Sequence, residues 1–150
     1  MATCSYGSAI TRLCKYAMEA RKQPRMVVLE TDPEPSAYGR RLAAELGEQG
    51  VHTEVVDGAG LAAAAGGIQA AFVGADAVTM KCVVNGTPSL ELAKAAQGRF
   101  PLYAVCESVK LIRAVPSETG YDEVPLELFA GVVTESRVLT PADVRRLLAF

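Results

Sequence analysis

The chain has 150 residues, half of them hydrophobic and 21% charged, with 15 basic and 17 acidic side chains and a formal net charge of −2. That length and balance exclude a disordered tail, a collagenous rod and a coiled coil, and allow one domain burying roughly 68–70% of its unfolded surface. No block of like charges gives a footprint for a nucleic-acid backbone or an anionic membrane surface, so neither is expected as a direct partner.

Cys4, Cys14, Cys82 and Cys106 are scattered, form no CxxC pair and accompany one histidine, His52. This pattern yields neither a zinc site nor a disulfide framework, and no cofactor is called for. The amino terminus lacks a basic region followed by an apolar segment, and no apolar run approaches the ~18 residues of a membrane span. The expected location is the cytoplasm, with reduced thiols.

Residues 8–22 place Ile10, Leu13, Cys14, Ala17 and Met18 at i, i+3, i+4, i+7 and i+8, an amphipathic helix with one buried stripe. Residues 26–30 (MVVLE) read as a buried strand. After a loop carrying Pro33 and Pro35, residues 36–46 form a second helix closed by Gly47 and Gly50. Residues 51–56 are a strand, 61–65 a short alanine-rich helix, 70–73 a strand, 90–96 a helix and 102–106 a strand. Residues 127–133 fit either type. The final helix is introduced by Thr140-Pro141-Ala142-Asp143, a hydroxyl at the N-cap, proline at the first helical position and an acid at the third. Short strands alternating with helices predict an α/β fold, a mostly parallel sheet covered by helices on both faces, in one domain over residues 1–150.

Ligands of such sheets bind beyond the carboxyl ends of the strands. Those positions hold Glu30-Thr31-Asp32, Asp57-Gly58, Gly74-Ala75-Asp76 and Glu107-Ser108, which would bring four acidic loops to one rim unless they serve as turn formers and helix caps. Val84-Asn85-Gly86-Thr87-Pro88-Ser89 offers small and hydroxyl-bearing residues before a helix, an anion cradle or simply a Thr87 cap ahead of Pro88. Cys4-Ser5-Tyr6-Gly7-Ser8 precedes the first helix. A thiol or hydroxyl there gains a lowered pKa or an anion-binding role from the helix dipole, or else forms an N-cap cluster with a small buried thiol. His52 reads as a packed or exposed strand residue, and Tyr38, Met18 and Met80 as packing residues. Neither a Walker A motif nor GxGxxG is present, which leaves ordinary dinucleotide binding unsupported.

Taken in order, Thr3-Cys4-Ser5-Tyr6-Gly7-Ser8, Val28-Leu29-Glu30-Thr31, Gly39-Arg40-Arg41-Leu42, Val73-Gly74-Ala75-Asp76-Ala77-Val78, Asn85 with Leu92-Ala93, and Val138-Leu139-Thr140-Pro141 resemble the carboxyl-terminal domain of the translation initiation factor 2B alpha/beta/delta family. That family includes methylthioribose-1-phosphate isomerase and ribose-1,5-bisphosphate isomerase. The resemblance implies a Rossmann-like fold, as in the NagB/RpiA/CoA transferase-like group, without the family's amino-terminal helical domain. It also implies pairing into a homodimer.

Carried over residue by residue, the resemblance makes Asp76 the catalytic acid and puts Ser5 where the isomerases hold a catalytic cysteine, with Cys4 one position early. The asparagine-lysine phosphate pair becomes Asn85 and Gly86, so the lysine is lost. The arginine-proline of the preceding loop becomes Asp32-Pro33, followed by a two-residue insertion. A substrate-contacting glutamine becomes Tyr38, and Ser8 at the helix start completes the substrate-binding candidates. Proton transfer between adjacent sugar carbons needs both partners and a held phosphate. These losses therefore imply a noncatalytic domain that dimerises and binds a phosphorylated small molecule, a sugar phosphate or nucleotide, at the sheet's carboxyl edge. The alternatives are an aldose-ketose isomerase acting on a phosphorylated pentose through Asp76 with Cys4 or Ser5, and a structural remnant that binds only itself or another subunit.

Overall fold

The computed structural model describes residues 1–30, 37–114 and 119–150. Along the chain come β1 (Ala2–Cys4), α1 (Ser8–Glu19), β2 (Arg25–Leu29), α2 (Tyr38–Glu48), β3 (His52–Val56) and α3 (Gly58–Ala64). They are followed by β4 (Ala71–Gly74), β5 (Ala77–Val78), β6 (Cys82–Gly86), α4 (Ser89–Ala96) and β7 (Leu102–Val105). The rest comprises β8 (Tyr121–Pro125), β9 (Gly131–Val133), β10 (Val138–Leu139) and α5 (Pro141–Leu148).

Seven strands form one sheet in the order β10-β9-β7-β4-β1-β2-β3, parallel throughout except for the antiparallel β9–β10 pair. The chain starts in the middle, moves outward through β2 to β3, then returns to the other side of β1 as β4. Successive connections thus leave β1 and β4 in opposite directions, and a crevice opens between their carboxyl ends.

The pleat explains the two cores. Met26 and Val28 of β2 face one side with Ile10 and Cys14 of α1 and Leu42 and Leu46 of α2. Leu29, one residue out of phase, joins Leu61 of α3, Leu92 of α4, Val73 and Leu102 on the other side. Helices therefore cover both faces, and the α/β fold expected from the alternation is the one observed, Rossmann-like as the resemblance implies.

The differences are local. Pairing brings the buried Ala-Thr-Cys of β1 into the centre of the sheet, although three residues carry too little periodicity to announce a strand. A second, antiparallel sheet, β5-β6-β8, was also not foreseen. Its β6 takes up Val84, Asn85 and Gly86, which the sequence places in an anion cradle or capping segment ahead of a helix, because Val83 packs into the core and β8 supplies the ladder. Residues 127–133 resolve into a 3₁₀ turn over Leu126–Leu128 and strand β9. Thr140 and Asp143 form the reciprocal capping box at α5 with Pro141 at its start, as the spacing predicts. No helix among the described residues is long and apolar enough to cross a membrane.

The two-sided core sets a stability prediction. Leu92 is fully buried, and Leu92→Ala should destabilise by about 2–5 kcal/mol. Tyr16, 65% exposed on α1, should tolerate alanine within about 0.5 kcal/mol. Urea denaturation followed by circular dichroism measures both.

Candidate functional site

The crevice between β1 and β4 is a cleft of about 620 Å³ whose walls include Ser5, Tyr6, Glu30, Tyr38, Asp76, Asn85, Gly86 and Tyr121. Ser5 leaves β1 in the left-handed region at φ 60° and is buried. Asp76, two residues past the end of β4, is exposed to the cleft and donates its backbone N–H to the Val84 carbonyl at 2.8 Å. Strand β6 brings Asn85 and Gly86 to the same place. Five sequence candidates, Ser5, Tyr38, Asp76, Asn85 and Gly86, thus share one cavity.

One hydroxyl organises the floor. Ser89 Oγ accepts from Asn85 Nδ2 at 2.8 Å and donates to the Gly86 carbonyl at 2.7 Å, and the same oxygen lies 3.5 Å from Cys4 Sγ. Strand β1, strand β6 and helix α4 are joined at that point, and Asn85 is held in one orientation. A Cβ on Gly86 would lie 2.5 Å from Ser5 Oγ. The absence of a side chain at 86 is therefore coupled to the presence of a hydroxymethyl at 5. A Cβ on Gly39 would stand 3.2 Å from Glu30 Cβ and 3.3 Å from Val28 Cγ1, and glycine there lets the first turn of α2 lie against the cleft wall.

Two candidates fall outside. Cys4 points into the core rather than the cleft, and burial is the main cause that pushes its thiol up to about 12. This corrects the expectation of a thiol activated by a helix dipole: β1 ends at Cys4, and α1 begins four residues later. Ser8 is the exposed first residue of α1 and does not line the cleft. No N-cap cluster forms there either. Gly7 is the N-cap, and no side chain caps the helix.

Of the four acidic loops, only those of Glu30 and Asp76 line the cleft. Asp57 caps α3 by accepting the Gly60 N–H at 2.8 Å, and Glu107 pairs with Arg12 at 3.4 Å, while Glu30 and Asp76 remain at the cleft. Thr31, Asp32, Pro33, Pro35 and Ser36 lie outside the described residues. The α4 start is occupied as well. Asp122 of β8 accepts the Leu90 N–H at 2.9 Å and the Thr87 hydroxyl at 3.2 Å. Thr87 is therefore no cap, and a carboxylate already sits where an anion cradle was expected.

Sequence reading did not single out Tyr6, whose hydroxyl donates to Glu45 at 2.6 Å beneath the Arg41 guanidinium, 4.5 Å from the ring centre. The Glu45 bond is the main cause that raises its pKa. His52 is exposed at the start of β3 and does not line the cleft. All four cysteines are free, and no cluster of three or more His, Cys, Asp or Glu suited to a metal occurs among the described residues.

Comparison with known proteins agrees with this architecture. Residues 1–124 match the Initiation factor 2 subunit family. A putative translation initiation factor eIF-2B subunit 2-like protein of Pyrococcus furiosus is 26% identical over 159 aligned positions, covering 93% of this chain and 57% of that protein. The solved structure of Pyrococcus horikoshii OT3 translation initiation factor eIF-2B superposes with a TM-score of 0.79 at 27% identity, over 93% of this chain and 57% of that one. The tetrameric eIF2B-beta2-delta2 complex from C. thermophilum gives 0.76 at 20% identity, over 89% and 49% respectively, a likeness of fold. The chain thus spans about half the length of these relatives. With its matched segment running from β1 into β8 and its parallel sheet superposing on theirs, the chain belongs to the Initiation factor 2 subunit family.

Proposed function

We propose that this domain is a noncatalytic binding and assembly module, which takes a small phosphorylated and hydroxylated ligand weakly in the cleft and associates with itself. The observation that carries the weak-binding, noncatalytic character of this reading is the composition of the cleft. Among its described lining residues, Glu30 and Asp76 are acidic and none is basic. The α4 start is closed by Asp122, which leaves the uncapped first turn of α1, next to Ser5 and Tyr6, as the place for a phosphate. The hydroxyl-bearing end of the ligand then lies toward the carboxylates.

Asp76 lines the cleft, but Cys4 lies in the core, where burial pushes its thiol up to about 12, and cannot share a proton with it. Folded protein should resist alkylation at Cys4, because the thiol is buried and burial holds it in its neutral form. The half-buried Cys82 should react first, and mass spectrometry after a timed iodoacetamide pulse checks the order.

Without a lysine at position 86, phosphate binding loses a charge-assisted hydrogen bond, about 1.5–3 kcal/mol or roughly ten- to hundredfold. Ribose phosphates should bind with Kd near the millimolar range as an order of magnitude, by nuclear magnetic resonance titration, with shifts centred on Ser5, Tyr6 and Asp76. No aldose-ketose conversion of methylthioribose 1-phosphate or ribose 1,5-bisphosphate should accompany binding. Turnover abolished by Asp76→Asn would overturn the noncatalytic reading in favour of an isomerase.

Self-association is supported by exposed apolar side chains near the carboxyl end, Val138 at 58%, Leu147 at 47% and Phe150 at 90% exposure. A related protein is a tetrameric complex. Sedimentation at tens of micromolar should give a dimer, and a monomer at that concentration would remove the assembly role.

A further inference from the structure

Glu30 is the least explained polar group of the cleft. It follows β2 directly, its side chain is only 9% exposed, and it lines the cavity. Its Oε2 is buried with no hydrogen-bond donor among the described residues. Arg40 Nε stands 3.4 Å from the same oxygen, close enough to balance the charge, and its own side chain is 65% exposed. The carboxylate therefore has its charge balanced from the solvent side, while the cleft side supplies it no donor. Buried polar atoms ordinarily have a partner, and an exception at a cavity wall calls for one.

We propose that Glu30 reads ligand hydroxyls, and so sets the specificity of the cleft for a sugar bearing adjacent hydroxyl groups. The inference rests on the ligand-binding reading given above. A second cation is not what the site needs, since Arg40 already balances the carboxylate, and a phosphate is repelled by it. A neutral donor is the chemistry that fits, and a vicinal diol supplies two in the spacing of one carboxylate. The terminal torsion of a glutamate is soft, which lets it present either oxygen without repacking.

The fold gives the same direction. The strand order β3-β2-β1-β4 puts the end of β2 beside the turn from β1 into α1. In doubly wound sheets a phosphate sits at that turn while a carboxylate after the second strand holds ribose hydroxyls. Here Ser5 and Tyr6 of that turn and Glu30 line one cleft. The glycine fingerprint that would accompany a dinucleotide is absent, so the geometry points to a single phosphorylated sugar unit.

The test titrates the whole chain with ribose 5-phosphate and with 2-deoxyribose 5-phosphate, following amide and Glu30 carboxyl-carbon resonances. Wild type should bind ribose 5-phosphate about tenfold more tightly, with the Glu30 carboxyl resonance moving on that titration. Glu30→Gln should lose about that factor for ribose 5-phosphate alone and abolish the discrimination. Equal binding of both probes by wild type, or discrimination undiminished in Glu30→Gln, overturns the role of Glu30 while leaving the cleft a ligand site. Binding of neither probe overturns both readings. If Glu30→Gln does not fold, the two wild-type titrations and the Glu30 resonance still decide the matter.

Discussion

The parallel pairing of β1 with both β2 and β4 is the constraint from which the molecule follows. Its three residues are all buried, with Ala2, Thr3 and Cys4 in register with Val27, Val28 and Leu29 on one side and Ala2 with Ala71 on the other. Backbone bonds beyond the strand reinforce the wedge, from Ala2 N to the Ala70 carbonyl at 3.0 Å and from Val27 N to the Met1 carbonyl at 2.9 Å. Parallel strands can meet only through long crossovers, so this pairing draws α1 to one face and, through β4, sends the rest of the chain to the other side. The cleft is the gap left where those two directions part.

The pleat of that strand also decides the chemistry. Side chains of an extended segment alternate between faces, and a shift of one residue separates a core group from a cleft group. Cys4 is turned under the sheet toward Ser89, while Ser5, bent away by its left-handed φ, enters the cleft. A thiol one position early in the sequence is therefore a thiol in a different environment. Ser5 and Gly86 then act as one feature. The hydroxymethyl occupies the volume into which a side chain at 86 would begin, leaving the wall of β6 without a cation.

Two helix starts that look alike in sequence end up unlike in the fold. Both α1 and α4 follow segments that carry a glycine and a hydroxyl-bearing residue, Ser5 and Gly7 before α1 and Gly86 and Thr87 before α4. Yet α4 receives the Asp122 carboxylate from a strand 32 residues away, and α1 receives no side-chain cap. The free N–H groups of a helix start attract whichever anion reaches them first. In α4 that anion is part of the protein, whereas the start of α1 receives none from a side chain.

How much of this was legible beforehand depends on the range of the interaction concerned. The α/β class, the amphipathic stripe of α1 through Ile10 and Cys14, and the Thr140-Asp143 capping box are determined by residues within a few positions of one another, and the sequence by itself determined them. The meeting of Ser5 and Asp76 was legible through the rule that parallel strands present their carboxyl ends together, while Asn85 reaches the same cleft on antiparallel β6. Glu30 and Asp76 were visible as rim residues, but not that Asp57 and Glu107 would be spent on a cap and an ion pair. Only the tertiary structure decided that Ala2–Cys4 is a strand, that residues 82–86 pair with β8, and that the Glu30 carboxylate is buried with a single charge partner. The reason is the same in each case. A three-residue strand, an antiparallel ladder and a buried oxygen owe their state to partners 25 or more residues distant or on another element, and no local pattern of side chains carries that information.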